Sequence, residues 1–447
     1  MELFQTDSKK RNVFLVFFIY LCMKKTRFFY EMNYFLLAVL GWLLLFYKAI
    51  EVNENAKEEA PAWEQAVVTG TGEENKAATA ESVPLTIRVL LMDSGYRTYY
   101  HPSVTLQMDN QELTYTADSP ELQEGSLVLD SPETGIRLLS IERQENPPVY
   151  SGSLEIRKTN QGLLLINELP LETYLEGVVP SEMPASYEME ALMAQAVCAR
   201  TYAVCQIRES KLQKEYGADV DDSVNFQVYQ NFMPTRKTSQ AVKKTAGQIL
   251  TQNGEPVTAY YFSTSAGVTS TDEIWGEKKA APYLNSVKCQ FDQDLPWSSW
   301  EVELPWEFLK KQLADNGVKG IPKSLQTVKK SSGGAAILLQ VITDEEEYEI
   351  EGEYEIRSFL SPKGQKIKEK DGTIIEGTSL LPSAYFDLDF QQGKSLKIKG
   401  KGYGHGVGMS QNGANEMAKE GYSWQEILEY FFRNIEIVDW KMEKVDR

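Results

Sequence analysis

The stretch "VVPSEMPAS", Val178 to Ser186, holds one carboxylate, Glu182, among Val178, Val179, Pro180, Met183 and Pro184. Apolar surroundings disfavour the charged form and raise a carboxyl pKa, which is what a general acid working at neutral pH requires. A helix predicted to begin at Ser186 pulls the other way, because the positive end of a helix favours the ionised form. Spacing alone does not rank the two effects. A glutamate just before a helix also serves as a solvated or capping group.

A second stretch, "GKGYGHGVGMSQNGA", surrounds His405 with glycines at 400, 402, 404, 406 and 408, in a chain with only two histidines. Alternating glycines on a strand would leave one face as bare backbone and turn Tyr403, His405 and Val407 to the other. Bare backbone suits close approach by a bulky ligand, and equally suits a tight turn or bulge with no ligand. The dinucleotide pattern GxGxxG fails, because it needs glycine at Val407 or Met409.

A third stretch, "FSTSAGVTSTDEIWGEKKAAPYL", supplies Ser263, Thr264, Ser265, Gly267 and Trp275. Hydroxyls beside an indole suit a sugar, and a structural turn with a packed tryptophan explains them as well. No GxSxG elbow accompanies them. The four cysteines, at 22, 198, 205 and 289, form no CxxC, and there is no HExxH, so zinc is poorly supported. Cys198 and Cys205 fall on one predicted helix about 10 Å apart along its axis, too far for a disulfide.

These residues need elements to position them. The chain has 447 residues, a formal net charge of −18 and 42% hydrophobic residues, which fit a folded protein and argue against a nucleic-acid partner. Residues 1–31 precede a 19-residue apolar run, Met32 to Ile50, with Lys24, Lys25 and Arg27 before it and acidic residues after it. That pattern predicts an uncleaved membrane anchor with a cytoplasmic amino terminus and the rest outside. Met23 is an alternative start. Residues 51–82 are acidic and Ala/Thr/Gly-rich and read as a flexible tether.

From Val83 to about Glu155 short strands are expected, beginning with "VPLTIRVLLM". A long helix should run from Ser186 to about Ser210, with close packing at Ala191, Ala194, Ala196, Ala199 and Ala203. "EPVTAYYFSTSAG" reads as a strand, and "LPWEFLKKQLADNG" as a helix ending at Gly317. "AAILLQVIT" and "YEIEGEYEI" read as paired strands, and 361–379 as a loop or hairpin. Two closing helices follow the glycines, the second opened by a Ser423/Glu426 capping box. The mixture predicts an α+β fold around a cleft, divided at 83–155 and 156–440, with a strand-rich insertion near 318–395.

Three pieces together resemble the stage II sporulation protein D (SpoIID) and LytB family. They are "LPLETYLEGVVPSEMPASYEMEALMAQAVCARTYAV", "AYYFSTSAGVTSTDEIWGEKKAAPYLNSVKCQFD" and "GKGYGHGVGMSQNGANEMAKEGYSWQEILEYFF". They occur in the family's order, within roughly Val83 to Ile437. The resemblance implies a peptidoglycan lytic transglycosylase that leaves 1,6-anhydromuramoyl ends and works in engulfment with a SpoIIP-like amidase and a SpoIIM-like membrane protein. It puts the catalytic role on Glu182. Gln195, Arg200 and Gln411 match family positions that would shape the cleft. Ser263, Ser265, Gly267, Trp275, Tyr403, His405, Gly406 and Ser410 complete the expected substrate-contacting set. His405 would bond substrate or hold its loop against the Ser263–Gly267 turn, with the glycine backbone lying along the glycan groove. Some relatives carry a His-Cys pair associated with zinc. Here "VNFQVY" puts Asn225 and Phe226 in those places, so no metal or other cofactor is expected. A LytB-like wall-binding protein or amidase enhancer without catalysis is the alternative.

Overall fold

Leu163–Pro170 is an almost continuously buried strand, as expected of a strand covered on both faces. It is the centre of a five-stranded sheet ordered Ser126–Asp130, Ser153–Lys158, Leu163–Pro170, Thr86–Leu90 and Val220–Asp221. The Thr86–Leu90 strand pairs antiparallel with it in the register Thr86↔Pro170, and parallel with Val220–Asp221. This computed structural model describes residues 85–440 apart from 145, 146 and 278. The anchor, the tether, Met23 and Cys22 lie outside the described residues. Among the described residues no helix is long and apolar enough to cross a membrane.

The fold is α+β. Eight helices lie among the described residues: α1 Leu171–Glu182, α2 Met189–Glu209, α3 Leu212–Tyr216, α4 Arg236–Lys244, α5 Trp306–Asp315, α6 Glu353–Phe359, α7 Gln411–Lys419 and α8 Trp424–Phe431. No glycine or proline interrupts α2, and every residue from Ala191 to Val204 is buried. A helix buried on all sides belongs inside a core, and its few polar side chains there, Gln195, Arg200 and Thr201, are buried with it. Its alanines let α1, α4, α7 and the Gln248–Gln252 strand approach closely.

The structure changes several expected boundaries. α2 begins at Met189 rather than Ser186, because residues 183–188 turn the chain between two helices, with the Tyr187 N–H bonded to the Pro184 carbonyl at 3.0 Å. The preceding helix, α1, carries Pro180 inside it and ends on Glu182. Proline lacks the helical N–H and argues against a helix interior, so the pattern hides this element. The segment "YEIEGEYEI" splits at Gly352 into the strand Glu347–Glu351 and α6. The 361–379 region forms a hairpin, Lys366–Glu369 with Ile374–Glu376, whose first strand joins a larger sheet beside Trp300–Pro305.

A separate apolar cluster runs from Trp300 to Ile398 and includes Leu304, Leu339, Val341 and Ile356. It therefore starts well before residue 318. Its two sheets and helices α5 and α6 form a distinct lobe. The lobe touches the main core at the glycine stretch, where the Trp300 indole N–H bonds the Gly402 carbonyl at 3.0 Å.

Candidate active site

Glu182 stands at the carboxyl-terminal end of α1, seven residues before α2 begins. The dipole argument of the sequence therefore reverses. The negative end of α1 disfavours the anion, in the same sense as burial. The side chain is half-buried. Its Oε1 accepts the Val228 N–H at 2.7 Å. The Tyr261 hydroxyl and the Gln411 side chain are the other polar groups beside the carboxyl. Burial outweighs these polar neighbours and pushes the Glu182 pKa up to about 7, with no contribution from a second carboxylate among the described residues.

Gln411, the first residue of α7, also donates to the Glu182 backbone carbonyl at 3.2 Å and to Gln195 Oε1 at 3.4 Å. Glu182, Gln195 and Gln411 thus come together. Gln195 is fully buried and its Nε2 has no hydrogen-bond partner among the described residues. Its place is behind Gln411, out of reach of a substrate.

Arg200 lies elsewhere. Its guanidinium is held by Glu172 of α1 at 2.7 and 2.8 Å, and donates to the Gln248 and Val242 carbonyls at 3.2 Å. The side chain is 2% exposed. It ties α1, α2 and α4 together and offers no donor to a cleft. Expecting a substrate contact from it overlooked that Glu172 supplies a bidentate partner inside the core.

The glycines follow a different logic from the strand reading. Gly402, Gly404, Gly406 and Gly408 take φ of +76, +105, +82 and +81°, so the backbone enters the left-handed region at every second residue. The space a Cβ would need is taken by protein: the Trp300 ring at Gly400, the Thr264 carbonyl at Gly402, Phe262 at Gly404, the Tyr385 hydroxyl at Gly406 and the Tyr260 carbonyl at Gly408. Of the two readings left open by the sequence, tight turning against protein fits this segment. The glycine faces are occupied and do not border a groove.

His405 sits within that turn. Its Nδ1 accepts the Val407 N–H at 3.1 Å, and the Tyr261 backbone lies beside the ring. Tyr260, Phe262 and Trp275 pack around the ring at 6.3, 5.7 and 5.3 Å between centroids. Burial first, then the Arg357 charge, lowers its pKa to about 3. A neutral imidazole whose Nδ1 lone pair already holds a backbone N–H is a poor base. Tyr260 and Phe262 pack on His405, while the Tyr261 hydroxyl accepts from Gln227 at 3.1 Å and lies beside Glu182. Residue 261 therefore stands between the two groups. The loop is held to the Ser263–Gly267 turn by paired Thr264 and Tyr403 backbone bonds at 3.0 and 2.8 Å, rather than by the imidazole.

Ser265 and Ser410 are tied to Asp292, which accepts the Ser265 N–H and the Ser410 hydroxyl, each at 2.6 Å. Ser410 also caps α7 by accepting the Gly413 N–H, which fixes where Gln411 starts. Ser263 is half-buried and its carbonyl accepts the Asn412 N–H at 2.9 Å. Gly267 is exposed, and the Gly406 carbonyl accepts the Ser270 N–H at 2.7 Å. Trp275 and Tyr403 keep open aromatic surface, at 40% and 37% exposure.

Sequence reasoning missed Tyr261, Gln227, Val228 and Asp292. Gln227 and Val228 belong to "VNFQVY", read only for its missing His-Cys pair. Asn225 in that stretch is exposed, and the useful donors are Gln227 and Val228, two and three residues further on.

The family model described as "Stage II sporulation protein" (SpoIID) matches residues 159–252, the segment that holds Glu182, Gln227 and Val228. Over 307 residues the chain is 35% identical to Stage II sporulation protein D of Bacillus subtilis (strain 168), covering 65% of this chain and 78% of that protein. It is 33% identical over 290 residues to Stage II sporulation protein D of Bacillus amyloliquefaciens, covering 61% and 75%. A 30% match over 288 residues to the Amidase enhancer of Bacillus subtilis (strain 168) covers 58% of this chain and 39% of that protein. With its α+β body built to hold a half-buried glutamate, the chain belongs to the stage II sporulation protein D family.

Proposed function

We propose that this protein is a peptidoglycan lytic transglycosylase that cleaves glycan strands between N-acetylmuramic acid and N-acetylglucosamine. The observation that carries the reading is one half-buried carboxyl, Glu182, with a pKa pushed up to about 7, a backbone N–H donor at 2.7 Å and no second carboxylate contributing to its state. A glycoside hydrolase ordinarily needs two carboxyls, one for the leaving oxygen and one for water or the sugar. A transglycosylase can use one. Protonated Glu182 gives its proton to the glycosidic oxygen as the bond from the muramoyl C1 breaks. The C6 hydroxyl of the same sugar then forms the new C1–O6 bond and returns its proton to the Glu182 carboxylate. The internal hydroxyl replaces a bound water through its high effective concentration.

The two family members named for stage II sporulation support a role in sporulation; the family resemblance of the sequence adds engulfment as the setting, with a SpoIIP-like amidase and a SpoIIM-like membrane protein as partners. The 32–50 run supports a single-pass anchor with the folded body outside the membrane. Labelling of single cysteines placed before and after that run, in intact cells, tests the orientation.

The function is tested by incubating the purified chain with peptidoglycan strands, both intact and stripped of stem peptides. Mass spectrometry then reads anhydromuramoyl ends. Such ends from the unchanged chain, and none from Glu182→Gln, are expected. Binding without cleavage of either substrate would instead favour a non-catalytic role like that in the name of the amidase enhancer.

A further inference from the structure

Two short strands, Tyr261–Phe262 and Met409–Ser410, run parallel in the register Tyr261↔Met409 and Phe262↔Ser410. The residues that follow are neighbours too, Ser263 and Thr264 on one side, Gln411 and Asn412 on the other. Gln411 turns to the Glu182 carbonyl. Asn412 is half-buried and bonds in two directions. The Tyr187 hydroxyl, five residues after Glu182 on the turn between α1 and α2, donates to its Oδ1. Its Nδ2 donates to the Thr264 hydroxyl at 2.9 Å, and its backbone N–H to the Ser263 carbonyl at 2.9 Å. The Thr264 hydroxyl lies 3.3 Å from that of Ser263. Further along α7, Asn415 Oδ1 accepts the Glu188 N–H at 2.8 Å. The start of α7 thus grips the turn after Glu182, and Asn412 carries that grip across to the Ser263–Gly267 turn.

We infer that Asn412 is a positioning residue that fixes the turn after Glu182 against the turn carrying Ser263 and Thr264, and so sets the spacing between the Glu182 carboxyl and the Ser263 hydroxyl. An amide suits this place, because it holds an acceptor and a donor on one rigid plane and both of its neighbours are hydroxyls. Thr264 is 1% exposed, so without the amide its hydroxyl keeps only the Ser263 hydroxyl as a side-chain partner among the described residues. The side-chain bonds of Asn412 go to protein on both sides, so it acts through the two turns rather than on a sugar. Proton transfer to a glycosidic oxygen depends steeply on how acid and sugar are held, and a misplacement of about 1 Å costs on the order of 10²-fold in rate. The kinetic part rests on the proposed transglycosylase reading; the bridge between the two turns does not.

The test uses the full chain. Asn412→Leu is nearly isosteric and removes both side-chain bonds, while Tyr187→Phe and Thr264→Val remove one bond each. Urea unfolding of the single and paired variants reads the bridge without turnover. Coupling is expected between positions 412 and 187 and between 412 and 264. Absence of either coupling overturns the inference. Cleavage of soluble glycan strands, read as anhydromuramoyl ends at a temperature where every variant is folded, reads the consequence. Asn412→Leu should lower kcat by about 10- to 100-fold with KM nearly unchanged, and the single-bond variants should lower it less. Asn412→Asp, whose carboxylate accepts from both hydroxyls, should recover most of the rate. Lowered stability with unchanged kcat would make Asn412 purely structural, and a raised KM alone would make it a sugar contact; either overturns the inference. If Asn412→Leu does not fold, Tyr187→Phe paired with Thr264→Val carries both measurements, since Asn412 links the two hydroxyls. If no chain cleaves, the transglycosylase reading falls, and the couplings alone uphold or overturn the bridge.

Discussion

The Glu182 pocket and the glycine segment 400–408 are the two regions of this molecule with unusual composition, and they are unusual for opposite reasons. At Glu182, polar groups from three distant segments, the Val228 N–H, the Tyr261 hydroxyl and the Gln411 amide, gather beside a side chain that still meets solvent. At the glycines, side chains are missing because Trp300, Phe262, Tyr385 and the Thr264 and Tyr260 carbonyls occupy their space. Chemistry collects where polar groups converge on a surface left open. Glycine collects where backbones must pass closely and turn left-handed. His405 belongs to the second region, although its residue type suggests the first.

The largest expected effect separates the regions by activity. Glu182→Gln keeps the shape and can still accept the Val228 N–H, but it has no proton to give. Formation of anhydromuramoyl ends should fall by about 10³-fold, within the range for losing a general acid. In the unchanged chain, activity should decline about tenfold per pH unit above 7, as Glu182 ionises. Mass spectrometry of products against pH checks both. Retention of activity in Glu182→Gln would break the comparison outright.

The next largest effect is on stability. Gly408→Ala puts a methyl group onto the Tyr260 backbone carbonyl at a φ of +81°. Backbone cannot swing aside as a flexible side chain does, so a loss of about 3 kcal/mol or more is expected. Gly267→Ala is the matched control, because its φ is +97° but nothing lies within 4 Å of the added carbon. It should lose only the strain contribution, about 1 kcal/mol. Urea unfolding of both variants gives the difference. Equal losses at the two sites would mean that strain alone, and not close packing, explains the glycine segment.

These two regions also differ in how far the sequence reveals them. The apolar residues beside Glu182 mark a perturbed carboxyl, and the long alanine-rich α2 is visible from its uninterrupted pattern. The direction of the helix dipole was misread, because Pro180 hides α1 and makes α2 look like the nearest helix. Tyr261 and Gln227 carry no periodic or motif signal; only the tertiary meeting of α1, α2, residues 227–228 and the Tyr261–Phe262 strand gives them a role. Alternation of glycine fits both a bare strand face and a left-handed turn, since both demand a missing Cβ. Contacts alone distinguish them. Arg200 illustrates the same point from the other side, since its partner Glu172 is 28 residues away in the chain.

The smallest predicted effect gives the two regions opposite signs. The Glu182 carboxyl is raised from 4.5 to about 7 in the folded chain. Between those values the native state binds more protons than the unfolded state, so stability falls as pH rises through the window. Glu182→Gln removes that loss. It should leave stability nearly unchanged at pH 4 and raise it at pH 8.5 by ~1–3 kcal/mol, the upper part discounted because the side chain still meets water. His405 is lowered from 6.5 to about 3, so there the native state binds fewer protons, and stability falls as pH drops through that window. Replacing His405 with glutamine should flatten the acid side of the curve, whatever packing it costs, and leave the alkaline side alone. Tm scans of both variants from pH 4 to 8.5 read these slopes. A steeper acid side after the His405 change would mean that the imidazole is charged in the fold, and the distinction between a chemical region and a turning region would then have to be redrawn around it.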